Sequence, residues 1–164
     1  MQIAVITITR NNVEGLRRTI TSVRCQTYAD ILHVIIDGDS TDGTAEVLDA
    51  ERRNGTAMVE TAPPAGVYDA INRGIRVALD AGADVIGLLH AGDTYASDDV
   101  VAQVVARLKE QGFYENTVIV FAADNGVVDE GVSSAPRSVT LSQTINLTRG
   151  KTGAATLCKH FGCA

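Results

Sequence analysis

Short apolar runs rich in β-branched residues alternate along this chain with longer stretches in which apolar residues recur at helical spacing. Five of the short runs predict strands, at 2–9, 31–37, 57–60, 84–89 and 118–122. The longer stretches predict helices at 13–26, 41–53, 68–81 and 97–111, with one or two more within 139–160. Strand and helix alternate throughout, so the pattern predicts an α/β fold with a mostly parallel sheet and helices on both faces.

Four of the predicted strands end in polar residues. These strand ends read Thr9-Arg10-Asn11-Asn12, Asp37-Gly38-Asp39, His90-Ala91-Gly92-Asp93 and Asp124-Asn125-Gly126. Because the carboxyl ends of parallel strands meet at one edge of a sheet, we expect these groups to converge there, where open α/β sheets bind their ligands. The Ile35–Thr44 stretch is the most informative of them, and Ser40, Thr41 and Asp42 within it are typical of a helix cap. It indicates a nucleotide-type site, with a turn or cap role as the alternative for Asp37.

Composition narrows the classes of partner. The chain has 164 residues, 45% hydrophobic and 21% charged, which suits one folded domain. A net charge of −6 argues against binding to nucleic acid or to anionic membrane. We expect no leader and no transmembrane segment. We also expect a cytoplasmic location, because the three cysteines leave one unpaired and suit a reducing compartment. The Cys158–Cys163 segment offers only three metal ligands, which disfavours a zinc site there.

Five motifs follow one another over the first hundred residues: ITITRNN, SVRCQTY, IIDGDSTDGT, GVYDAINRGI and LLHAGDTY. In this order and spacing they resemble family-2 glycosyltransferases, over about residues 1–99. The resemblance implies a Rossmann-like sheet of the GT-A type in a first unit, 1–112, that binds a nucleotide-sugar donor. If the chain is active, the resemblance implies an inverting glycosyltransferase that passes the sugar to a hydroxyl of an unknown glycan or lipid-linked acceptor.

The same resemblance implies which residues hold the donor. The nucleotide-sugar contacts would come from the first two strand ends and from the segment after Pro64, at Thr7, Thr9, Asn11, Asp37, Asp39, Asp69, Asn72 and Arg73. A carboxylate that accepts hydrogen bonds from a base N–H or from ribose hydroxyls selects ligands that offer them. For Asp69, Asn72 and Arg73 a solvated helix start is an equal alternative, because an acid near a helix amino terminus is favourable in itself. Arg73 would pair either with phosphate or with a buried acid.

The fourth strand end departs from the family. Family members place an acidic pair there that holds a divalent cation against the donor diphosphate, whereas here Gly92 replaces the first acid and Asp93 remains. One carboxylate, two phosphates and water are sufficient ligands for Mg²⁺ or Mn²⁺. The resemblance therefore implies one of these cations at Asp93. His90 is either a further ligand or an ordinary loop histidine.

Beyond about Asp99 the resemblance to glycosyltransferases stops. Residues 118–164 resemble a segment of nicotinate-nucleotide–dimethylbenzimidazole phosphoribosyltransferase, most densely over 122–163. There the segment helps to form an aromatic-base pocket, and Gln143 matches a base-contacting position. The glutamate base and the glycine-rich phosphate loop of that family lie beyond this segment.

The chain thus resembles a mosaic, with a second unit, 113–164, of one strand and helices that packs on a truncated GT-A domain as a carboxyl-terminal helical extension. No catalytic base is identified, although Asp124, Asp129 and Glu130 are possible replacements. A non-catalytic nucleotide-binding module, a phosphoribosyltransferase fragment and a non-functional chimera are the alternatives to an active glycosyltransferase.

Overall fold

The computed structural model describes residues 1–63, 65–110 and 120–122, the last three by their backbone alone. Strands and helices alternate through these residues. The strands are β1 (Ile3–Thr9), β2 (Ile31–Asp37), β3 (Met58–Thr61), β4 (Val85–Leu88) and β5 (Val120–Ala122). The helices are α1 (Val13–Arg24), α2 (Thr44–Asn54), α3 (Val67–Asp80) and α4 (Val100–Glu110). The expected α/β alternation is therefore confirmed.

The strands form one parallel sheet in the order β3-β2-β1-β4-β5. Strand β1 lies at its centre and pairs with β2 along its whole length, with Ile3 opposite Ile31 and Thr9 opposite Asp37. From β1 the chain continues to β2 and β3 on one side of it and then crosses to β4 and β5 on the other side. The strand order therefore reverses next to β1. This reversal opens a crevice at the carboxyl edge of the sheet, where doubly wound folds bind ligands.

Helices cover both faces of the sheet. Helix α3 packs on one face, where it meets Ala4 and Ile6 of β1 and the even-numbered apolar residues of β2. Helices α1 and α2 lie on the other face against Ile35, and α4 packs there against Ile3 and Val5. The two-residue period of a strand explains this division, because alternate side chains point to opposite faces. Within the described part of the chain no helix has the length and apolar character needed to cross a membrane.

The first turn of α2 corrects one expectation. The helix begins at Thr44 behind Gly43, which has no capping side chain, and not at Thr41 behind a Ser40-Thr41-Asp42 cap. The Ser40 hydroxyl instead donates to the Asp37 carboxylate at 2.6 Å, whereas Asp42 Oδ1 does accept from the Thr44 N–H at 3.3 Å. The expected strand end 124–126 and the helices within 139–160 lie outside the described residues.

Gly74 sets how closely α3 approaches the sheet. A Cβ at this buried position would collide with Cγ2 of Ile6, a fully buried residue of β1. We expect Gly74→Ala to lower the free energy of unfolding by about 1–3 kcal/mol, because overpacking outweighs the better helix propensity of alanine. Urea denaturation would measure this, with the exposed Asn72→Ala of the same helix as the control. A Gly74→Ala protein as stable as the wild type would contradict the tight packing.

Candidate functional site

A cavity of about 450 Å³ opens at the carboxyl edge of the sheet, on the side covered by α3. Its floor includes Ile8 and Ile36, the last inward-facing apolar residues of β1 and β2. One wall comes from the segment before α3 and from its first turns, and another from the loop after β4. The polar and charged residues that line it are Thr9, Arg10, Asn12, Asp37, Asp69, Arg73 and His90. The volume lies within the usual range for small-molecule sites.

Hydrogen bonds tie the loops after β1 and β2 together. The Asn11 N–H donates to Ser40 Oγ at 2.8 Å, and the Thr41 N–H donates to Asn11 Oδ1 at 2.8 Å. The Val13 N–H donates to Asp42 Oδ2 at 2.9 Å. The Thr44 hydroxyl, at 2.6 Å from Asp42 Oδ1, lowers the pKa of that carboxyl. The two predicted strand ends therefore form one linked rim.

Asp37 lies at the end of β2 and is only 3% exposed. Its Oδ1 accepts from the Ser40 hydroxyl at 2.6 Å, and its Oδ2 accepts from the Ser40 N–H at 3.2 Å. The carboxylate thus has the turn role that was the alternative expectation for Asp37, and it also lines the cavity. Each oxygen keeps a further lone pair, so the turn does not exhaust what Asp37 can accept.

The two threonines of β1 have different surroundings. Thr9 lines the cavity, and its buried Oγ1 has no hydrogen-bond partner in the described part of the chain. Thr7 is fully buried, and its hydroxyl lies 2.9 Å from Nε2 of the buried His33. Burial, with a smaller contribution from the charge of Arg24, lowers the pKa of His33 to about 4. The hydroxyl of Thr7 is therefore engaged inside the protein, away from the cavity.

Arg73 is held by two carboxylates. Its Nε donates to Asp69 Oδ2 at 2.7 Å and its NH1 donates to Glu60 Oε1 at 3.0 Å, and these contacts raise the pKa of the guanidinium. All three side chains are about one-third exposed. Arg73 thus pairs with two partly exposed acids, and its pairing with phosphate stays a prediction. Asn72, one residue earlier, is exposed and lies outside the cavity wall.

Two residues hold the loop of Asp93, Asn12 and Thr19, and the sequence analysis assigned this role to neither of them. Asn12 caps α1 by accepting from the Gly15 N–H at 3.1 Å, and its Nδ2 donates to the Ala91 carbonyl at 2.9 Å. The buried Thr19 hydroxyl accepts from the Gly92 N–H at 3.0 Å, and it lies at hydrogen-bonding distance, 2.8 Å, from the Asp93 carbonyl oxygen. Asparagine just before a helical pattern and threonine on its apolar face were the available signals.

Gly92 is the residue that replaces the first acid of the expected pair. Its φ of +108° is a conformation that residues with a side chain rarely adopt. A Cβ there would meet its nearest neighbour, Asn12 Nδ2, only at an ordinary contact distance of 3.5 Å. Backbone conformation, and not space, therefore disfavours an acid at this position.

We expect Gly92→Asp to lower the free energy of unfolding by about 1–3 kcal/mol, because the loop would have to hold aspartate at a strained φ. Gly92→Ala should lose about the same amount, since strain at the backbone is common to both variants. Urea denaturation of the two variants would measure the effect. Wild-type stability of either variant would show that the loop accommodates a side chain and that strain is not the reason for glycine.

The structure brings together some of the expected site residues and separates others. The cavity collects Thr9, Asp37, Asp69 and Arg73. Asn11 and Asp39 stand on the rim with φ of +49° and +59°, a left-handed conformation that asparagine and aspartate tolerate better than most residues. Thr7 and Asn72 lie outside the cavity wall, and so does Asp93, on the loop that follows His90 and Ala91. Gln143 lies outside the described residues.

A divalent cation has few ligands here. Within residues 1–63 and 65–110 no group of three or more histidine, cysteine, aspartate or glutamate side chains is arranged to hold a metal ion. The loop after β4 offers the Asp93 carboxylate, and the buried Nδ1 of His90 in the same loop has no hydrogen-bond partner in the described part. Of these two groups the carboxylate is the one that suits a cation such as Mg²⁺, which prefers oxygen ligands and takes most of them from phosphate and water.

Comparison with curated proteins finds glycosyltransferase relatives. An uncharacterized glycosyltransferase of Mycobacterium tuberculosis H37Rv is 40% identical over 111 residues, which cover 67% of this chain and 41% of that protein. The same values hold for the corresponding protein of the CDC 1551 strain. The chain therefore spans less than half the length of these relatives.

Two solved structures of similar fold are complexes with nucleotide sugars. S. aureus TarS 1–349 in complex with UDP-GlcNAc superposes with a TM-score of 0.60 at 18% identity, over 68% of this chain and 32% of that one. The mannosyltransferase PcManGT from Pyrobaculum calidifontis, in complex with GDP-Man and Mn²⁺, gives a TM-score of 0.58 at 20% identity, over 65% and 32%. At this identity the likeness establishes the fold.

The rest of the chain matches a different family. Residues 98–164 match the family described as Phosphoribosyltransferase. The nicotinate-nucleotide–dimethylbenzimidazole phosphoribosyltransferase of Clostridium perfringens (strain ATCC 13124) is 58% identical over 45 residues, 27% of this chain and 12% of that enzyme.

The described sheet thus has the GT-A-like fold of glycosyltransferases, and the chain resembles members of two enzyme families. The glycosyltransferase likeness and the phosphoribosyltransferase match together confirm the mosaic resemblance expected from the sequence.

Proposed function

We propose that the chain is a glycosyltransferase domain that binds a nucleotide-diphosphate sugar in the cavity beside α3 and transfers the sugar to a hydroxyl acceptor by inversion. The observation that carries the proposal is the place of the buried Asp37 carboxylate. It lines a cavity of about 450 Å³ at the carboxyl edge of a GT-A-like sheet. A buried carboxylate with spare lone pairs at such an edge is suited to recognise a nucleoside.

Donor recognition would rest on the rim that the two strand-end loops build. Asp37 would accept a hydrogen bond from a base N–H or a ribose hydroxyl, and Thr9, Asn11 and Asp39 stand next to it on the same edge. The bonds among Asn11, Ser40 and Thr41 hold this rim before a ligand arrives. A preorganised rim lowers the entropy lost on binding. Across the cavity, Asp69 and Arg73 would shape the wall as an ion pair, and Asn72 and Thr7 would act indirectly.

The cation is a further part of the proposal. Asp93 would hold Mg²⁺ or Mn²⁺, and such a cation neutralises the charge of a leaving nucleoside diphosphate. Support comes from the Asp93 carboxylate, the acid that remains of the expected pair, and from the Mn²⁺ in the structure of PcManGT. Asn12 and Thr19, through their bonds to the loop, would keep Asp93 at the edge of the cavity.

Thermal unfolding with UDP, GDP and dTDP, each with and without Mn²⁺, tests donor binding. A ligand that binds only the folded state raises the unfolding temperature by an amount set by its occupancy. We expect stabilisation by at least one of the three, larger with Mn²⁺, and loss of the Mn²⁺ increment in Asp93→Ala. Asp80→Ala, an exposed carboxylate at the far end of α3, is the control. No shift with any nucleotide would contradict the proposal.

Release of nucleoside diphosphate from sugar donors separates a transferase from a binding module. Transfer by inversion needs a carboxylate that deprotonates a hydroxyl of the glycan or lipid-linked acceptor. The acids to replace first are Asp124, Asp129 and Glu130, which follow the described part of the chain. Nucleotide binding without release of diphosphate from any donor and acceptor would favour the non-catalytic module.

The match of residues 98–164 favours a second candidate function. In this candidate, units 1–112 and 113–164 have separate origins, and unit 113–164 contributes an aromatic-base pocket. Dimethylbenzimidazole is the probe for this candidate. Stabilisation of the wild type by dimethylbenzimidazole, reduced in Gln143→Ala, would support it. Stabilisation by nucleotides but not by dimethylbenzimidazole would contradict this second candidate and favour the glycosyltransferase proposal.

A further inference from the structure

The charges around the cavity are unevenly distributed. Asp37 and Asp69 line it, and Asp39, Asp42 and Asp93 stand on the loops at the same edge of the sheet. Of the two arginines in the wall, Arg73 is occupied by Asp69 and Glu60. Within the described residues, Arg10 is the arginine of this wall whose guanidinium has neither an ion pair nor a hydrogen bond. A ligand with a diphosphate group would meet an acidic edge with one uncommitted cation.

The backbone around Arg10 fixes where its side chain starts. Arg10 directly follows β1, and the Gly38 N–H donates to the neighbouring Thr9 carbonyl at 2.9 Å. A Cβ on Gly38 would lie 3.3 to 3.4 Å from Cβ, Cγ and Cδ of Arg10. The apolar stem of Arg10 therefore rests along Gly38, which leaves it room because it has no side chain. The stem is supported at the cavity although the residue is exposed.

We propose that Arg10 binds the diphosphate of the donor and supplies the fixed positive charge of this site, an inference that rests on the proposed function. A guanidinium offers N–H groups in a fork that matches phosphate oxygens, and charge-assisted hydrogen bonds of this kind are the strong ones. With glycine at position 92, the loop after β4 has one carboxylate, Asp93, where the resemblance implies an acidic pair that holds a cation. A larger share of the diphosphate charge then falls to the protein's own cation, so binding persists in part when the divalent cation is removed.

Calorimetric titration of a matched ligand series tests this role. The series is the nucleoside, its monophosphate and its diphosphate, for example uridine, UMP and UDP, each titrated with Mn²⁺ and with EDTA. We expect Arg10→Gln to weaken the diphosphate by about 10-fold or more, and more in EDTA than in Mn²⁺, while the nucleoside changes by less than about 2-fold. Arg10→Lys should recover part of the loss. Arg18→Gln, an exposed arginine of α1 outside the cavity, is the control and should leave the series unchanged.

Two results would overturn the inference. Equal weakening of nucleoside and diphosphate in Arg10→Gln would mean that the guanidinium contacts the base and not the phosphates. Unchanged affinities throughout the series would mean that Arg10 contacts no part of the ligand. A wild-type protein that binds no member of the series would contradict the proposed function itself, so the two failures are distinguishable. Thermal unfolding of each variant without ligand would confirm that it is folded.

Discussion

Asp37→Ala is expected to weaken nucleoside diphosphate binding by about 100-fold or more. A hydrogen bond to a charged group contributes about 1.5–3 kcal/mol, and its loss leaves a donor of the ligand unpaired against the protein. Asp37 is buried at the end of β2 and is already fixed by two bonds from Ser40. Because this side chain is already ordered, ligand binding loses little conformational entropy by fixing it. Isothermal titration calorimetry with the nucleotide that stabilises the wild type would measure the loss.

Ser40→Ala is the matched control for this prediction. It removes the 2.6 Å bond to the Asp37 carboxylate and the bond that Ser40 Oγ accepts from the Asn11 N–H, but the Ser40 N–H still holds the carboxylate in the cavity. Both variants should therefore lose similar stability, about 1–2 kcal/mol, whereas only Asp37→Ala should lose most of the binding. If Asp37→Ala binds as well as Ser40→Ala, Asp37 is a turn residue and the nucleoside lies elsewhere.

His33 is expected to make the stability of the domain fall steeply in mild acid. Its pKa is lowered from 6.5 to about 4, chiefly by burial and then by Arg24. The unfolded chain therefore binds a proton that the folded one does not between these two values. The contribution is fully present above pH 6.5 and is lost as the pH falls through 6.5 towards 4, by about 3 kcal/mol in total. Urea denaturation at a series of pH values would measure this loss.

His33→Gln isolates that contribution from the other titrating groups. Glutamine keeps a polar partner for the Thr7 hydroxyl, which lies 2.9 Å from Nε2 of His33, and it does not titrate. The difference in pH dependence between wild type and variant between pH 6.5 and 4 should equal the histidine contribution. Superimposable pH profiles would show that His33 is protonated as easily in the folded state as in the unfolded one.

The sheet was predictable from the sequence because periodicity determines it. Strand β2 begins and ends where the ILHVIID run does, at Ile31 and Asp37, since the run is buried on both faces and is bounded by turn residues. The start of α2 was predicted three residues too early. Ser40 and Asp42 have the chemistry of a cap, but Ser40 is used for a contact to Asp37, and Asp42 divides its oxygens between the first residue of α1 and Thr44 of α2. Propensity does not reveal which of two partners a side chain takes.

The site was predictable where it depends on strand ends and unpredictable where it depends on contacts between distant loops. Parallel strands alone bring Thr9 and Asp37 to one edge, in register with each other. The pairing of Arg73 with Glu60, the engagement of Thr7 by His33 and the hold of Thr19 on the loop of Asp93 join separate segments. These contacts depend on how α1 and α3 pack on the sheet. The exposure of Asn72 has the same origin, because packing selects the helix face that meets the cavity.

Amide shift mapping by NMR, with the nucleoside diphosphate that stabilises the protein in the presence of Mg²⁺, tests the central claim most directly. We predict that the largest changes cluster at the cavity, within residues 9–12, 37–40, 65–70 and 90–93. Such clustering would place the ligand between the two strand-end loops and α3. No shift changes, or changes confined to residues 123–164, would contradict a nucleotide-sugar site at the carboxyl edge of this sheet.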